Sequence, residues 1–397
     1  MKASKIILWI LRISVGLLFI FSGFVKADDP LGFSYKLQEY FEVFHFEFLN
    51  GIAIYLSMIM STLEMILGAL LIFGIRMNFT MWLMLILIIF FTFLTAYSYI
   101  TGKITDCGCF GDAIKLTNSE TFWKDVILLI LVILLFLSRK TIIPVFGNMP
   151  GNIIAGLTIA VGIFFTLYCY RHLPLIDFRA YKAGNNIRQQ MTLPPGKKPD
   201  QYVTILTYKD KSSGKQEKYV MASGSGDDAM LKAKGLQPLP WQDSVWMNNH
   251  DFVSSNSEII VKGDKPAITD FHVWDNDNND VTSQVLDQPN YHFWIVAYDM
   301  ETANKKSFAK IEKLSSSCEQ HNIPFTGLTA TPYNILDPIR HNLNAAFPFY
   351  YADGTVLKTI IRSNPGLILL KGPVVLAQWH YNDIPAFEEV NIKYLTR

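Results

Sequence analysis

The fold is decided around the stretch Thr105-Asp106-Cys107-Gly108-Cys109-Phe110-Gly111-Asp112, which separates two long apolar runs of the sequence. It contains two of the four cysteines in the chain. Gly108 and Gly111 allow a tight turn, which would present both sulfurs at one face of a membrane. Two cysteines one residue apart can close only a small, strained ring, and strained disulfides are typically the labile, oxidising ones. The sequence before this stretch is typical of membrane helices, and most of the sequence after it is typical of a soluble protein.

Five apolar segments predict transmembrane helices, because a bilayer requires a span of roughly 20 residues. They cover Ile6–Val25, Ile52–Ile75, Met81–Ile100, Val126–Leu137 and Ile153–Tyr170. The first is too long for the apolar core of a signal peptide and no small-residue cleavage site comes after it, so we predict that it is retained. The fourth is short, and Phe122 and Trp123 would supply an interfacial turn before it.

Basic residues predict the orientation of this bundle, because cytoplasmic loops carry an excess of lysine and arginine. They lie before the first segment, between the second and third, and after the fourth: Lys2, Lys5, Arg76, Arg139 and Lys140. These positions share one side if the N-terminus is cytoplasmic. The Cys107 stretch and the C-terminal part would then lie in the periplasm of a bacterial inner membrane, where disulfides persist. Basic residues between 171 and 182 favour the opposite orientation, and the three agreeing loops outweigh them.

Two ionisable residues fall inside the apolar segments, Arg12 in the first and Glu64 in the second. Charges inside a membrane usually face the bundle and find a partner. With a rise of about 1.5 Å per residue, antiparallel helices would bring these two to similar depth. We therefore predict an intramembrane ion pair between Arg12 and Glu64, either structural or part of a proton or quinone site.

The composition of the chain divides it into four regions. These are a transmembrane bundle (1–140), a fifth transmembrane helix (141–175), an extended β-rich segment (176–285) and a soluble α/β domain (286–397). The resulting fold class is a membrane α-helical bundle with a soluble α/β domain and a small β-rich insert. Strands are predicted at Tyr202–Tyr208 and Glu217–Met221.

The last region has a β-α-β-α-β-β order that resembles a thioredoxin-like domain. It begins with the buried strand at 293–298 and the amphipathic helix Ser307–His321. Later come a strand pair, Phe347–Tyr351 and Val356–Ile361, turned at Asp353-Gly354, and further strands after Pro365. The resemblance implies a cis-proline before the next strand, and Asn364-Pro365 occupies that place as a binding face. A working thioredoxin carries CxxC at the start of its first helix. Here that place reads Met300-Glu301-Thr302-Ala303-Asn304, so we predict a domain that runs no dithiol cycle alone, and that binds a polypeptide or caps the membrane site.

The N-terminal part is similar to the DoxX and MauE families of small bacterial membrane proteins over roughly the first 140 residues. The likeness rests on Phe21-Ser22-Gly23-Phe24-Val25-Lys26, Glu64 and Cys107-Gly108-Cys109-Phe110-Gly111. The fused layout resembles a bacterial family with a DoxX-type membrane half and a periplasmic tail. MauE-type proteins are implicated in maturation of disulfide-bearing periplasmic enzymes, and DoxX-type proteins are linked to quinone-coupled sulfur oxidation. The resemblance therefore implies thiol chemistry near the membrane and fixes no substrate.

The cysteines leave two interpretations open. Cys107 and Cys109 are either a structural disulfide or a redox pair that passes electrons between a periplasmic dithiol and a membrane quinone. Cys169 could approach that pair as a resolving thiol, whereas Cys318 is expected to be a buried helix residue. We predict no metal site, since two thiolates supply half of a structural zinc site and no nearby histidine completes it.

Charge and motifs exclude several classes of function. The formal net charge of +1 gives no sign of nucleic-acid binding, and Walker, GxGxxG and HExxH motifs are absent from the sequence. One hypothesis is a membrane thiol-disulfide oxidoreductase that takes part in electron relay or envelope protein maturation, with a quinone as the only cofactor considered. The other is a non-enzymatic adaptor whose redox-inactive domain recruits a periplasmic or envelope partner. Both place the chain in contact with the lipid bilayer.

Overall fold

The N-terminal part of the molecule is helical. The structure is a computed structural model, which describes residues 2–104, 110–220 and 236–396. The long helices of the described N-terminal residues are α1 (Lys2–Asp28), α2 (Pro30–Val43), α3 (Ala53–Phe73), α4 (Met77–Thr101), α5 (Asn118–Leu137) and α6 (Asn148–Arg171). Shorter helices in the described chain are Glu47–Ile52, Arg139–Thr141, Ile187–Gln190, Ser244–Asn249, Thr282–Leu286, Lys305–Ser307, Phe387–Val390 and Asn391–Leu395.

Four helices of the described chain are long and apolar enough to cross a membrane: Ile6–Asp28, Glu47–Phe73, Met77–Thr101 and Met149–Arg171. The segment predicted as a span at 126–137 is the second half of α5, which begins eight residues earlier. The first half of α5 carries Glu120, Lys124 and Asp125. Because of these charges, α5 is less apolar than the four helices above and is not counted among them. It packs beside them in the bundle.

Glycines bring α1 and α3 into close contact. A Cβ atom at Gly16 would lie 2.9 Å from the Gly68 carbonyl oxygen, and one at Gly23 would lie 2.7 Å from the Ser61 carbonyl oxygen. Small residues allow membrane helices to approach backbone to backbone. The glycines therefore fix the register between α1 and α3, and with it the depth at which their polar residues meet.

The turn between α3 and α4 lies at the same end of the bundle as the chain after α5. Val145 N donates to Phe73 O at 3.0 Å, and Arg76 Nη2 donates to Asn152 Oδ1 at 3.3 Å. The start of α1 reaches this end too, through a hydrogen bond to the same connection. The basic segments used to predict orientation thus share one end of the bundle, and the side of the membrane that it faces stays a prediction.

Residues Arg188–Thr269 form a compact unit of their own. Their described part contains a four-stranded sheet in the order β3-β2-β1-β4. Its strands are β1 (Gln201–Asp210), β2 (Gln216–Val220), β3 (Gln237–Pro238) and β4 (His250–Val261). β1 pairs antiparallel with β2 and β4, whereas β2 and β3 are parallel. The strands predicted at 202–208 and 217–221 correspond to β1 and β2.

The C-terminal domain is thioredoxin-like. Its described residues fold around a five-stranded sheet in the order β7-β6-β5-β8-β9. The strands are β5 (Tyr291–Val296), β6 (Phe325–Thr329), β7 (Phe349–Tyr351), β8 (Gly366–Lys371) and β9 (Val374–His380), and the main helices are Phe308–Gln320, Tyr333–Asn342 and Gly354–Ile360. β5, β6 and β7 are parallel, and β8 and β9 complete the sheet antiparallel.

The apolar run of β5 is explained by its place at the centre of this sheet. A central strand is covered on both faces, so its residues are apolar without alternation. Phe293 and Ile295 are buried in the cluster that the helix Phe308–Gln320 covers, and Trp294 and Val296 are also fully buried.

One predicted strand of this domain is wrong. We predicted a strand pair turned at Asp353-Gly354, but residues Gly354–Ile360 form a helix. Asp353 caps it, because its side chain accepts hydrogen bonds from the amides of Thr355 and Val356. The β-branched residues at 355, 356 and 360 favoured a strand, and the cap with burial of one helical face outweighed that preference.

Candidate functional site

A buried ion pair joins α1 and α3. Lys26 Nζ lies 2.8 Å from Glu64 Oε1 and 2.9 Å from Oε2, and both side chains are 3% exposed. Lys26 Nζ also donates to Ser22 Oγ at 2.9 Å and lies 4.4 Å from the centre of the Phe91 ring. The Lys26 ammonium and the Glu64 carboxylate therefore neutralise each other, as buried charges inside a membrane domain usually do.

The predicted ion pair between Arg12 and Glu64 is wrong. Arg12 Nη2 donates to Ile72 O at 2.7 Å, and its Nη1 donates to Ile143 O at 3.2 Å. The glycine contacts set Glu64 against the second half of α1, so Arg12 lies about three turns of helix away. The predicted first span ends at Val25, whereas α1 continues to Asp28 and carries Lys26 inward.

A cavity of about 410 Å³ lies beside the Lys26–Glu64 pair. Its walls come from α1, α3, α4, α5 and the start of the described connection before α5. Its lining residues are Leu18, Phe19, Ser22, Lys26, Glu64, Ile88, Phe91, Phe110, Glu120, Trp123, Lys124, Asp125, Ile127, Leu128 and Leu131. The volume falls within the roughly 300–1,000 Å³ typical of small-molecule sites, and apolar walls with a few polar groups are their usual lining.

The cavity opens at the surface of the bundle between α1 and α5, and the exposed apolar surface of a membrane-spanning helix such as α1 faces lipid. Leu18, Trp123 and Ile127 line it and are 44%, 55% and 56% exposed. A second ion pair, Lys124 Nζ to Asp125 Oδ1 at 3.0 Å, lies on the α5 wall among the described lining residues. The cavity thus combines an apolar entrance with charged groups inside, which suits a lipid-soluble molecule with a polar head.

Cys107 and Cys109 lie outside the described residues, but the chain on either side of them is described. Ile104 is buried, and its carbonyl accepts a hydrogen bond from Asn118 Nδ2 at 2.7 Å. Phe110 lines the cavity, with Lys124 Nζ 4.3 Å from its ring centre. The residue bonded to Cys109 is therefore part of the cavity wall.

The thioredoxin-like domain contacts this same end of the bundle through Arg362. Arg362 Nε donates to Asp29 Oδ2 at 2.8 Å, and Arg362 Nη2 lies 3.5 Å from Asp112 Oδ2. Tyr35 of α2 donates from its hydroxyl to the Tyr298 hydroxyl at 3.2 Å. Burial lowers the pKa of Arg362, but Asp29 and Asp112 more than offset this and raise it above its ordinary value. The guanidinium therefore stays charged at this contact.

A second contact joins the end of α6 to the same domain. Asn382 Nδ2 donates to Arg171 O at 2.7 Å, and His172 Nδ1 lies 2.8 Å from Asp383 Oδ1. The two contacts hold the domain at the end of the bundle where α1 finishes and where Phe110 lies.

The predicted binding face at Asn364 and Pro365 has the expected backbone, because the bond between these residues is cis. Asn364 Nδ2 donates to Asp299 O at 2.7 Å, and Asn364 O accepts from Asn304 N at 2.9 Å. Asn364 thus holds the loop that takes the place of CxxC. This loop comes directly after Tyr298, which contacts α2, so part of this face is turned toward the membrane domain.

The two described cysteines are buried. The Cys169 thiol donates to Asp28 Oδ1 at 3.7 Å, and its role as a resolving thiol stays a prediction. Cys318 is 0% exposed in the core of the thioredoxin-like domain, and burial raises the pKa of its thiol to about 12. Cys318 is therefore the buried helix residue that the sequence predicted.

Several residues of this site were not found from the sequence. Lys26 lies one residue beyond the predicted first span, and the spacing of Ser22 and Lys26, four residues apart, is the signal that places both on one face of a longer α1. Arg362 lies 333 positions from Asp29 and 250 from Asp112, so no local sequence pattern joins these partners. The described chain contains no group of three or more His, Cys, Asp or Glu residues suited to a metal.

Comparison with known proteins agrees with these two domains. Residues 4–138 match the family model of methylamine utilisation protein MauE. Protein TlpB of Flavobacterium psychrophilum is similar to the chain, with 30% identity over 166 residues. That match covers 40% of this chain and 43% of the relative, so less than half of the relative's length is represented. No solved structure matches the chain.

Proposed function

We propose that this chain, a MauE-family membrane domain joined to a thioredoxin-like domain, relays electrons from thiols of envelope proteins to a lipid-soluble acceptor. The observation that supports it most is the cavity, which opens to lipid, contains the Lys26–Glu64 pair and has Phe110 in its wall. A thiol pair that ends one residue before this wall could exchange electrons with a molecule bound inside.

The proposed thiol chemistry uses Cys107 and Cys109. A client thiolate attacks the sulfur of Cys107 in the disulfide, the sulfur–sulfur bond breaks, and Cys109 leaves as a thiolate. The client's second thiolate then attacks the mixed disulfide, which releases an oxidised client and leaves the pair reduced. Two electrons and two protons must leave the pair before its disulfide forms again.

We propose a quinone as the acceptor of those electrons and protons. A quinone takes up two of each, and its apolar ring and tail suit a cavity of about 410 Å³ that is open to lipid. Lys26 and Lys124 would donate hydrogen bonds to its oxygens, while Glu64 and Asp125 hold the two ammonium groups in place. The apolar walls would keep water from the reacting centre.

The proposal places the pair and the thioredoxin-like domain in the periplasm of a bacterial inner membrane. It is supported by the basic segments at the opposite end of the bundle, since such segments favour the cytoplasm. In this arrangement Cys169 is held by Asp28 and would act only if that hydrogen bond opened.

Trapping tests the relay. In a Cys109→Ser variant the Cys107 thiolate can still attack the disulfide of an oxidised client, which is the reverse of the second step, and the client leaves its other sulfur as a thiolate. Because Cys109 is no longer there to displace the client from Cys107, we expect a covalent adduct on a non-reducing gel. Cys318→Ser is the matched control, because that thiol is buried in the other domain. Full rescue of a deletion strain by Cys107→Ala with Cys109→Ala would overturn the relay.

The adaptor hypothesis predicts a different result. A stable envelope partner would co-purify with the chain and would survive removal of both cysteines. Tyr298 and Arg362 of the thioredoxin-like domain contact the membrane domain, so a partner would need a different face. We therefore favour the relay.

A further inference from the structure

Arg362 is a central residue of the contact between the thioredoxin-like domain and the bundle. Its Nε donates to both carboxylate oxygens of Asp29, at 3.0 and 2.8 Å, and its Nη2 lies 3.5 Å from Asp112 Oδ2. Its Nη1 donates to Lys358 O. The side chain is 8% exposed. One guanidinium thus connects the end of α1, the chain after Cys109 and the thioredoxin-like domain.

The surroundings are shaped for an arginine. Asp29 caps α2, because its Oδ1 accepts from Gly32 N at 2.8 Å, and this fixes the carboxylate that Arg362 contacts. A Cβ atom at Gly32 would overlap Asp29 Oδ2 and lie 2.9 Å from Arg362 Nη2, so a larger residue there would displace this ion pair. A lysine has no planar fork and could not contact both carboxylates in this way.

The third partner, Asp112, stands three residues after Cys109. Between them Phe110 lines the cavity, and Gly111 adopts a positive φ of 50° beside Val25. Phe110, Gly111 and Asp112, which follow Cys109, therefore each contact another part of the molecule. The contact of Asp112 is with the thioredoxin-like domain.

We propose that Arg362 is a positioning residue: by joining Asp29 and Asp112 it ties the thioredoxin-like domain to the chain after Cys109 and sets the reactivity of the cysteine pair. This inference rests on the relay as the function of that pair. It gives the thioredoxin-like domain, which has no CxxC, a part in thiol chemistry that needs no thiol of its own. Docking of the domain and reactivity of the pair would then be coupled.

The test measures how fast the reduced cysteine pair reacts with N-ethylmaleimide in the full chain in lipid nanodiscs, by mass spectrometry of the peptide with Cys107 and Cys109. Asp112→Asn removes the tether, and we expect about a threefold faster reaction. At about 1.4 kcal/mol per tenfold this is about 0.7 kcal/mol, within the range typical of a partly exposed ion pair. Arg362→Gln also releases Asp29, so it should accelerate the reaction at least as much, and the double variant should react no faster than Arg362→Gln alone. Asp112→Glu keeps a carboxylate and should react at the wild-type rate.

Arg340→Gln is the matched control, because Arg340 pairs with Asp337 at 2.9 Å on another helix of the same domain. A wild-type rate in Asp112→Asn, or effects that multiply in the double variant, would overturn the inference. If Arg362→Gln does not fold, the comparison of Asp112→Asn with Asp112→Glu decides, since Asp112 is 36% exposed. The relay fails separately, when no adduct is trapped in Cys109→Ser while these rate differences persist.

Discussion

Removing one charge from the buried pair should strongly destabilise the membrane domain. Glu64→Gln leaves the ammonium of Lys26 without a counter-charge in a site that is 3% exposed. Loss of one partner of a buried ion pair typically costs about 3–5 kcal/mol. Contacts of Lys26 with Ser22 Oγ and the Phe91 ring persist and offset about 1 kcal/mol. We therefore expect the free energy of unfolding to fall by about 3 kcal/mol.

Removing both charges should restore most of that stability. Lys26→Met with Glu64→Leu fills the space with apolar atoms, and such replacements are often neutral or stabilising. We expect the free energy of unfolding of the double variant to lie within about 1 kcal/mol of the wild type. The losses of stability in Lys26→Met and Glu64→Leu, each measured alone, are then strongly non-additive. If the pair serves the proposed acceptor site, the double variant will fold normally and still fail to oxidise clients.

The assay is equilibrium unfolding of the purified chain in detergent micelles, followed by far-UV circular dichroism. Lys36→Met with Glu39→Leu is the matched control, because that pair is partly exposed, at 26% and 42%, and should change stability by less than about 1 kcal/mol. Our reasoning is refuted if Glu64→Gln costs no more than this control, or if the double variant loses the sum of the two single costs.

The packing of the chain yields three further predictions. Gly68→Ala should destabilise the bundle by about 1–3 kcal/mol through overpacking, because its Cβ would lie 2.9 Å from Ile20 N. Thermal unfolding in detergent measures this loss, and an unchanged midpoint would contradict the α1–α3 contact. Cys318 should resist iodoacetamide at pH 8 until the chain unfolds, because burial raises the pKa of its thiol to about 12; labelling of the folded protein would show that this packing is wrong. Burial lowers the pKa of His380 to about 4, an effect that Asp383 opposes and His172 increases. The contribution of neutral His380 to stability should therefore be complete above pH 6.5 and should fall toward pH 4 by at most about 1.4 kcal/mol per pH unit. His380→Gln should lose this slope when unfolding is measured across pH.

The sequence was sufficient for the parts of the fold that local patterns determine. Apolar length identified the membrane helices, and the uninterrupted apolar run at 293–298 marked a strand buried on both faces. The order of strands and helices then suggested a thioredoxin-like domain, and that order in turn located Pro365. These features depend on residues that are neighbours in the chain.

The site was less accessible, because its residues meet through register and docking. Arg12 and Glu64 could be paired by counting residues, but the glycine contacts between α1 and α3 shift that register and bring Lys26 to Glu64 instead. Arg362 and Asp29 are 333 positions apart in the sequence, and no pattern around either residue predicts their contact. The helix Gly354–Ile360 was not predicted, because Asp353-Gly354, which begins it, is also the typical sequence of a hairpin turn.

The most direct test of the account is the redox state of Cys107 and Cys109 in native membranes, by differential alkylation and mass spectrometry. We predict that the pair is largely oxidised when quinones are present, becomes reduced when quinone synthesis is blocked, and is labelled from the periplasmic side. A pair that keeps one redox state under both conditions, or that is labelled only from the cytoplasm, would contradict the relay.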